Sequence, residues 1–424
     1  MLMGAFRAAG LVGLGCALLA LVPAVPSAAA SDNTVASAVL GQPGFGTNFV
    51  KFGCPPSTAS SLCRPTAVAM DPTSGRIFVT DGRRVLSWSN THRIATDEPA
   101  DLVLGQTSFS AAECRATASL VCAADGVTID RQGRVYVSDA GLNRVIRFTP
   151  PLQSGMAADL VIGRPDFTTG PQPCVVSPDE PNPPTIIVTA RDLCNPTGLV
   201  VDSQDRLYVA DTSNSRVLRF DHTDTNYPVA DLLLGQPTFT ESPAQSLGCM
   251  IQPLGFTTNP DGLCRPVGIA LDRTGRLYVA DSFQSRVVRY DDPRTNAQPA
   301  DAILGTGCRF DQPAGPTDFC IPTGVFVDHA DRLYVTDNFE SRTVRIGVNG
   351  ETSGAVVLGH PNANQANCLN GTPSADSLCA PTSASVDFRG DVFIADTGNN
   401  RVLRYDQPSN GTQPPTGTRS VGVP

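Results

Sequence analysis

The sequence of 424 residues is poor in the side chains that catalytic sites and nucleic-acid-binding surfaces use. It has one lysine, Lys51, one tryptophan, four histidines and six glutamates. Acidic residues outnumber basic ones by 40 to 31, so the formal charge is −9. Binding to a phosphate backbone needs a continuous basic surface, and the arginines here alternate with aspartates. The sequence therefore predicts no nucleic-acid partner.

Long apolar segments and known catalytic signatures are absent as well. Beyond residue 30 no long apolar run with helical periodicity appears, so we expect no transmembrane segment in the mature chain. No GxSxG, P-loop or HExxH motif appears, and we predict no catalytic residues. Aromatic residues make up 6% of the chain, against 38 glycines and 36 prolines. This composition is typical of short strands joined by many turns.

The first 30 residues have the pattern of a signal peptide. Arg7 is followed by an apolar run over 11–22 and by three alanines at 28–30, before the polar residues Ser31 and Asp32. We predict that residues 1–30 are removed and that the protein is exported, to a secreted, periplasmic or cell-surface location. Lipid attachment at Cys16 is an open alternative.

The rest of the chain repeats one pattern six times. The copy from Asn195 reads NPTGLVVDSQDRLYVADTSNSRVLRFD. Six aspartates that follow the first strand are 56 to 72 residues apart: Asp71, Asp130, Asp202, Asp272, Asp328 and Asp387. Each copy contains four short strands separated by turns, which is typical of a propeller blade.

The two ends of the repeat region complete each other. The last copy stops after Tyr405 without a fourth strand, whereas residues 35–45 form a fourth strand with no blade before it. The sequence thus predicts an all-β, six-bladed β-propeller of four-stranded blades over residues 31–408, with the N-terminal strand joining the last blade. Residues 409–424 are predicted to be a flexible tail.

The pattern D-x-x-G/D-R-L-Y-V-A-D-T-x-N-x-R-V-x-R-F resembles that of NHL-repeat propellers of the secreted bacterial type, over nearly all of residues 35–406. The first copy departs from it, because the chain shortens to GRRVLSW after Asp81. There we expect a tighter loop between the second and third strands, and the pattern leaves the Asp–Arg geometry of this copy open. The resemblance includes enzymes, namely amidating lyases with histidines around a zinc ion and lactonase-like propellers with a calcium ion in the channel.

Twelve cysteines fall two to a copy, between the fourth strand of one blade and the first strand of the next. In an exported chain this even count favours disulfides, and the repeat favours pairing within a copy. Separations of 8 to 20 residues on six blades do not converge on a zinc ion. The predicted pairs are Cys54 with Cys63, Cys114 with Cys122, Cys174 with Cys194, Cys249 with Cys264, Cys308 with Cys320, and Cys368 with Cys379.

An aspartate and an arginine recur in nearly every copy. A pair repeated around the ring is better explained by loop structure than by catalysis, which needs an asymmetric group of residues. The predicted structural pairs are Asp139 with Arg144, Asp211 with Arg216, Asp281 with Arg286, Asp337 with Arg342, and Asp396 with Arg401.

The channel offers a single candidate metal ligand. The residues that open the six inner strands are Thr66, Asp125, Thr197, Val267, Thr323 and Thr382. Only Asp125 is a strong calcium ligand, and the threonines are expected to bond to neighbouring backbone instead. The four histidines occupy different places in the repeat, so each is interpreted as a surface residue and no cofactor is predicted apart from this calcium alternative.

Two hypotheses of function follow. The first is an exported, disulfide-stabilised and monomeric scaffold that binds a protein or glycan partner through the face carrying the cysteine loops, with the Pro-rich loop from Thr168 to Asp192 as a contact candidate. The alternative is a metal-dependent hydrolase or lyase with its site in the channel around Asp125. We expect the first, that is, a binding protein rather than an enzyme.

Overall fold

A computed structural model of the chain describes residues 34–47, 54–89, 94–171, 188–221, 223–240, 262–305, 307–308, 315–359 and 373–408. Within them, 24 strands form six four-stranded antiparallel sheets. The predicted signal peptide and the predicted tail lie outside the described residues. In this part of the chain no helix is long and apolar enough to cross a membrane.

The sheets are the blades of a propeller, numbered here in chain order from the innermost strand outward. Blade 1 contains β2 (Pro65–Met70), β3 (Ile77–Asp81), β4 (Arg84–Trp88) and β5 (Leu102–Leu104). Blade 2 contains β6 (Ala124–Ile129), β7 (Val135–Asp139), β8 (Arg144–Phe148) and β9 (Leu160–Ile162). Blade 3 contains β10 (Pro196–Val201), β11 (Leu207–Asp211), β12 (Arg216–Phe220) and β13 (Leu232–Leu234).

Blades 4 to 6 follow the same order. Blade 4 contains β14 (Pro266–Leu271), β15 (Leu277–Asp281), β16 (Arg286–Tyr290) and β17 (Ala302–Leu304). Blade 5 contains β18 (Pro322–Val327), β19 (Arg332–Asp337), β20 (Arg342–Gly347) and β21 (Val356–Gly359). Blade 6 contains β22 (Ser383–Val386), β23 (Val392–Asp396), β24 (Arg401–Tyr405) and, as its outer strand, β1 (Ala38–Leu40).

The ring is closed by the two ends of the propeller. Strand β1 pairs with β24 in antiparallel register, with Ala38 opposite Arg404 and Leu40 opposite Val402. The predicted closure by the N-terminal strand is confirmed. Because the last blade takes its outer strand from the start of the chain, closure ties the first and last repeats together and leaves no blade incomplete.

The hydrophobic core is divided among the interfaces between neighbouring blades. Alternate residues of a strand point to opposite faces of its sheet, and here both faces meet another blade. The second strand of each blade is therefore apolar on both sides; in β11, for example, Leu207 and Val209 pack between blades 2 and 3, while Tyr208 and Ala210 pack between blades 3 and 4.

The turn between the first and second strands is held by the aspartate on which the repeats align. In blade 2, Asp130 Oδ1 accepts hydrogen bonds from the backbone N–H groups of Gln132 and Arg134, each at 2.9 Å. The turn passes through a left-handed residue, Gly133, with φ of 74°. These turns lie on the face of the ring opposite the cysteine loops.

Glycine allows the innermost strands of adjacent blades to approach closely. A Cβ atom at Gly198 of β10 would lie 2.3 Å from the carbonyl oxygen of Val267 in β14, and one at Gly126 would lie 2.0 Å from the carbonyl oxygen of Thr197. Both distances are shorter than any van der Waals contact. These glycines therefore let the inner strands of blades 2, 3 and 4 lie closer together than residues with a Cβ atom would allow.

Candidate functional site

One face of the ring is formed by two kinds of segment that touch each other. They are the cysteine-containing connections that enter the inner strands and the turns between the second and third strands. The Ser213 N–H donates to the Cys194 carbonyl at 3.1 Å, and the Gly398 N–H donates to the Cys379 carbonyl at 2.9 Å. We call this surface the cysteine-loop face.

Disulfides cross-link the connections of this face. Cys54 is bonded to Cys63, Cys114 to Cys122, and Cys308 to Cys320, each within one connection as the repeat predicts. Cys194, Cys264 and Cys379 are also disulfide-bonded. The cysteines predicted as their partners, Cys174, Cys249 and Cys368, lie outside the described residues, as does Cys16.

The repeated aspartate holds the same connections by a second means. In blade 3, the Asp211 carboxylate accepts a hydrogen bond from the Cys194 N–H at 2.6 Å and another from Arg216 Nε at 2.7 Å. In each of the other blades, the corresponding aspartate likewise accepts a hydrogen bond from the backbone N–H of the second cysteine: Asp81, Asp139, Asp281, Asp337 and Asp396. The cysteine pairs and the Asp–Arg pairs, separate features in the sequence, thus form one structural unit.

The arginine completes the unit by capping backbone carbonyls. Arg216 donates to the carbonyls of Thr189 and Asp192 in the connection that enters its own blade, at 3.0 and 2.9 Å, and to that of Phe239 after the fourth strand, at 2.7 Å. Arg144 and Arg401 make the equivalent bonds. Each guanidinium therefore joins two connections at the cysteine-loop face.

The other predicted pairs are placed in the same way. Asp139 lies 3.1 Å from Arg144, Asp281 lies 2.8 Å from Arg286, and Asp396 lies 2.7 Å from Arg401. Asp337 and Arg342 face each other across β19 and β20. The first blade, whose Asp–Arg geometry the sequence left open, also has the pair, since Arg84 Nε donates to Asp81 Oδ2 at 2.7 Å. The turn is shorter here, so the aspartate and the arginine are three residues apart in the sequence, but they still form the ion pair.

Burial dominates the electrostatics of these pairs. It raises the pKa of the Asp211 carboxyl, and the Arg216 charge and the hydrogen bonds from Asn214 and Cys194 act against that rise. The same balance of burial against Arg401 raises the pKa of Asp396. Removal of one partner would leave an uncompensated charge in the interior, so these residues act as a set.

The inner strands enclose a central channel with a volume of about 1450 Å³. At its end on the cysteine-loop face, the opening threonines bond to the backbone of the next blade, as expected. Thr66 Oγ1 donates to the Ala124 carbonyl at 2.9 Å, Thr197 Oγ1 to that of Val267 at 3.0 Å, and Thr382 Oγ1 to that of Thr66 at 2.7 Å. These hydroxyls link neighbouring blades around the mouth.

Asp125 is the one carboxylate in this ring of opening residues. Burial, with a contribution from the negative charge of Asp139, raises its pKa to about 6, while the positive charge of Arg64 opposes the rise. Calcium prefers six to eight oxygen ligands, with several carboxylates among them. A single carboxylate, beside threonines bonded to backbone and the apolar Val267, is a donor set that does not fit a calcium ion.

Other potential ligands do not supply a metal centre among the described residues. Cys308, Cys320 and Glu340 come together, but the two cysteines are joined in a disulfide and cannot act as thiolates. His329 is an exposed residue at the far end of the channel, as a surface histidine should be. His92, His222 and His360 lie outside the described residues, as does most of the loop from Thr168 to Asp192.

Comparison with known families identifies the repeat. The model of the NHL repeat matches residues 193–220 and 263–290, which hold the three inner strands of blades 3 and 4. The chain contains NHL repeats. They are arranged in a six-bladed propeller, and the remaining blades share the strand order of the two matched segments.

Solved structures with a similar fold are distant in sequence. A protein of unknown function from Bacteroides thetaiotaomicron is 18% identical, with a TM-score of 0.52, over 87% of this chain and 75% of that one. Virginiamycin B lyase from Staphylococcus aureus is 13% identical, with a TM-score of 0.43, over 84% and 87%. A gluconolactonase from Xanthomonas campestris is 14% identical, with a TM-score of 0.44, over 88% and 98%. No curated protein matches the chain. The similarity of this NHL-repeat chain to the Bacteroides thetaiotaomicron protein is one of fold alone.

Proposed function

We propose that this NHL-repeat propeller is an exported, monomeric scaffold that binds a protein or a glycan through its cysteine-loop face. The observation that carries the proposal is the repeated unit of disulfide, aspartate and arginine, which fixes the backbone of the connections on that one face. Rigid connections lose little conformational entropy on binding, so they suit recognition. The disulfides are consistent with an oxidising compartment.

The alternative of a metal-dependent hydrolase or lyase in the channel has less support. It depends on Asp125 alone, because the other opening residues are four threonines and Val267. A hydrolytic or lyase site needs several groups that converge on one reacting atom. With a pKa of about 6, Asp125 could accept a proton near neutral pH, but the ring supplies no second acid or base beside it.

The proposal can be tested by blocking one face at a time. The chain has a single lysine, so a K51R background leaves only the amino terminus to amine reagents. S213K places a lysine on the cysteine-loop face of blade 3, and Q204K places one on the opposite face of the same blade. Each variant would be coupled to amine-reactive polyethylene glycol and applied, with disulfides intact, to arrays of peptides and of glycans.

We expect the polymer at residue 213 to abolish retention on the array and the polymer at residue 204 to leave it unchanged. Both variants carry the same polymer on the same blade, so its bulk is matched. Equal retention by the two forms, loss only with the polymer at residue 204, or no retention of any peptide or glycan by the uncoupled protein would each contradict the proposal.

A further inference from the structure

Exposed apolar side chains are concentrated on two adjacent blades of the cysteine-loop face. Phe283 of blade 4 is 58% exposed, and Ile321 and Phe339 of blade 5 are 38% and 42% exposed. Each phenylalanine is the middle residue of a turn between the second and third strands, and Ile321 immediately precedes the inner strand β18. The three residues thus belong to the segments that form this face.

Hydrogen bonds place the three segments that carry these residues next to one another. Ser282 and Ser285, on either side of the Phe283 turn, donate to the carbonyls of Pro322 and Cys320, the two neighbours of Ile321 in the chain. On the other side, the Asn338 N–H donates to the Ile321 carbonyl at 2.9 Å. Ile321 therefore lies between the turn that carries Phe283 and the turn that carries Phe339.

A cation extends the row at the Phe283 end. The exposed Arg265 guanidinium lies 4.8 Å from the centroid of the Phe283 ring, and the Phe283 N–H donates to the carbonyl of the neighbouring Cys264 at 3.3 Å. Among the described residues no carboxylate forms an ion pair with Arg265. We call Arg265, Phe283, Ile321 and Phe339 the aromatic row.

The fold does not require this row. At the position of the two phenylalanines, blades 2, 3 and 6 carry Gly141, Ser213 and Gly398. At the position of Arg265 and Ile321, the same blades carry Ala123, Asn195 and Ala380. Three blades thus form the same turns with small or polar residues. An exposed apolar cluster that the scaffold does not need is a mark of an interaction surface.

The chemistry of the row favours a protein over a glycan. A glycan needs several free donors and acceptors for its hydroxyls, but the hydroxyls next to the row are already used. Ser282 and Ser285 bond to carbonyls of blade 5, and Asn338 Nδ2 donates to the Pro381 carbonyl at 3.4 Å. The exposed side chains of the row are two aromatic rings, one branched aliphatic side chain and one guanidinium, which suit apolar side chains and a carboxylate.

We propose that the aromatic row binds a protein segment that presents an aromatic or branched aliphatic side chain close to a carboxylate. This inference rests on the proposed function and narrows it to one class of partner and to blades 4 and 5. The apolar side chain would pack on Phe283, Ile321 and Phe339, and the carboxylate would pair with Arg265. The disulfide between Cys308 and Cys320 holds Ile321 in place before a ligand arrives.

The test uses substitutions that blade 3 already carries. F283S/F339S installs the equivalent of Ser213 in both turns, and R265N installs the equivalent of Asn195. Phe388 supplies the control, because it is 63% exposed on the opposite face with the Arg389 guanidinium 5.9 Å from its ring centroid. The probe is an array of ten-residue peptides that pair phenylalanine, leucine or valine with aspartate or glutamate, each beside its asparagine or glutamine counterpart, together with a glycan array.

We expect the native chain and F388S to retain the same acidic peptides and F283S/F339S to lose at least about tenfold in affinity. R265N should bind the acidic peptides and their amide counterparts equally. Retention of peptides by F283S/F339S at the native level, or retention of no peptide, overturns the inference. If the polymer at residue 213 blocks binding while F283S/F339S does not, the proposal for the aromatic row is wrong, but the proposal that the cysteine-loop face binds the partner is supported. If binding is blocked only by the polymer at residue 204, both proposals are wrong.

Discussion

Replacement of Arg216 by methionine should destabilise the propeller through the unit that fixes the cysteine connections. The Arg216 side chain is 1% exposed and that of Asp211 is 0% exposed. Methionine fills much of the same volume but cannot donate hydrogen bonds. The variant therefore leaves the Asp211 carboxylate without its counter-ion, and the carbonyls of Thr189, Asp192 and Phe239 without their donor.

The size of the effect follows from the burial of the pair. Breaking a buried ion pair by removing one partner costs about 3–5 kcal/mol, because the remaining charge is buried without compensation. Asp211 keeps its hydrogen bonds from Cys194 and Asn214, which places the expected cost towards the lower end of that range. The double variant D211N/R216M should recover part of the loss, since it removes the uncompensated charge as well.

The cost should depend on pH. Burial already raises the pKa of Asp211, and loss of the Arg216 charge raises it further. A carboxyl whose pKa is higher in the folded state than in the unfolded state contributes stability at low pH and loses it as pH rises through the folded pKa. R216M should therefore be most destabilised at pH 8 and less so at pH 5.

Urea unfolding of the oxidised chain at both pH values measures the effect. R273M is the matched control, because Arg273 pairs with Asp331 at 2.7 Å with side chains 62% and 35% exposed, and such pairs contribute little. An R216M chain that is as stable as R273M at pH 8 would refute the reasoning, and so would a double variant that is less stable than R216M.

Three further predictions concern the disulfides, the glycine layer and Asp125. Replacement of Cys114 and Cys122 by alanine opens a loop with a sequence separation of 8 and should lower the free energy of unfolding by roughly 2–3 kcal/mol, measured by urea denaturation; an unchanged value would mean that hydrogen bonds alone hold the connection. G198A should lower the free energy of unfolding by about 1–3 kcal/mol, because its Cβ would lie 2.3 Å from the Val267 carbonyl oxygen. The control G170A should be neutral, because no atom lies within 4 Å of the added Cβ. Equal melting temperatures of the two variants would contradict the account. D125N should stabilise the chain by about 1–2 kcal/mol above pH 6, because the native carboxyl is ionised there in a site that raises its pKa to about 6. Below pH 4, where the native carboxyl is protonated, the substitution should have no effect. A stability difference that does not vary with pH would rule out this explanation.

The fold could be predicted from the sequence because each blade repeats the same local signals. The strand that contains Leu207 and Val209, the left-handed turn position at Gly133 and the aspartates that follow the inner strands recur at a regular spacing. Ring closure was also visible, since the first segment and the last copy each lacked what the other had. Periodicity and turn chemistry act over short distances, so a sequence shows them directly.

The unit of disulfide, aspartate and arginine at the cysteine-loop face could be predicted only in part from the sequence. Cysteine pairs and Asp–Arg pairs could be predicted separately, but the hydrogen bond from the Cys194 N–H to Asp211 joins residues 17 positions apart, and no pattern within one copy indicates it. The geometry of the Asp81–Arg84 pair was left open, because a shorter turn changes the spacing without showing whether the contact survives. Long-range packing decides such contacts.

The aromatic row was missed because it is a departure from the repeat. Comparing the middle residue of each turn, with Phe283 and Phe339 against Gly141, Ser213 and Gly398, would have marked blades 4 and 5. What the sequence could not show is that Ile321 lies between the two turns, since that depends on contacts between neighbouring blades.

Native mass spectrometry of the oxidised chain tests most directly whether function belongs to the cysteine-loop face or to the channel. The measurement would be made on the native protein and on D125N after incubation with calcium and with zinc. The account predicts no stoichiometric metal in either protein, because Asp125 is the one carboxylate among the residues that open the inner strands. One metal ion per native chain, absent from D125N, would contradict the account and place a metal-dependent site in the channel.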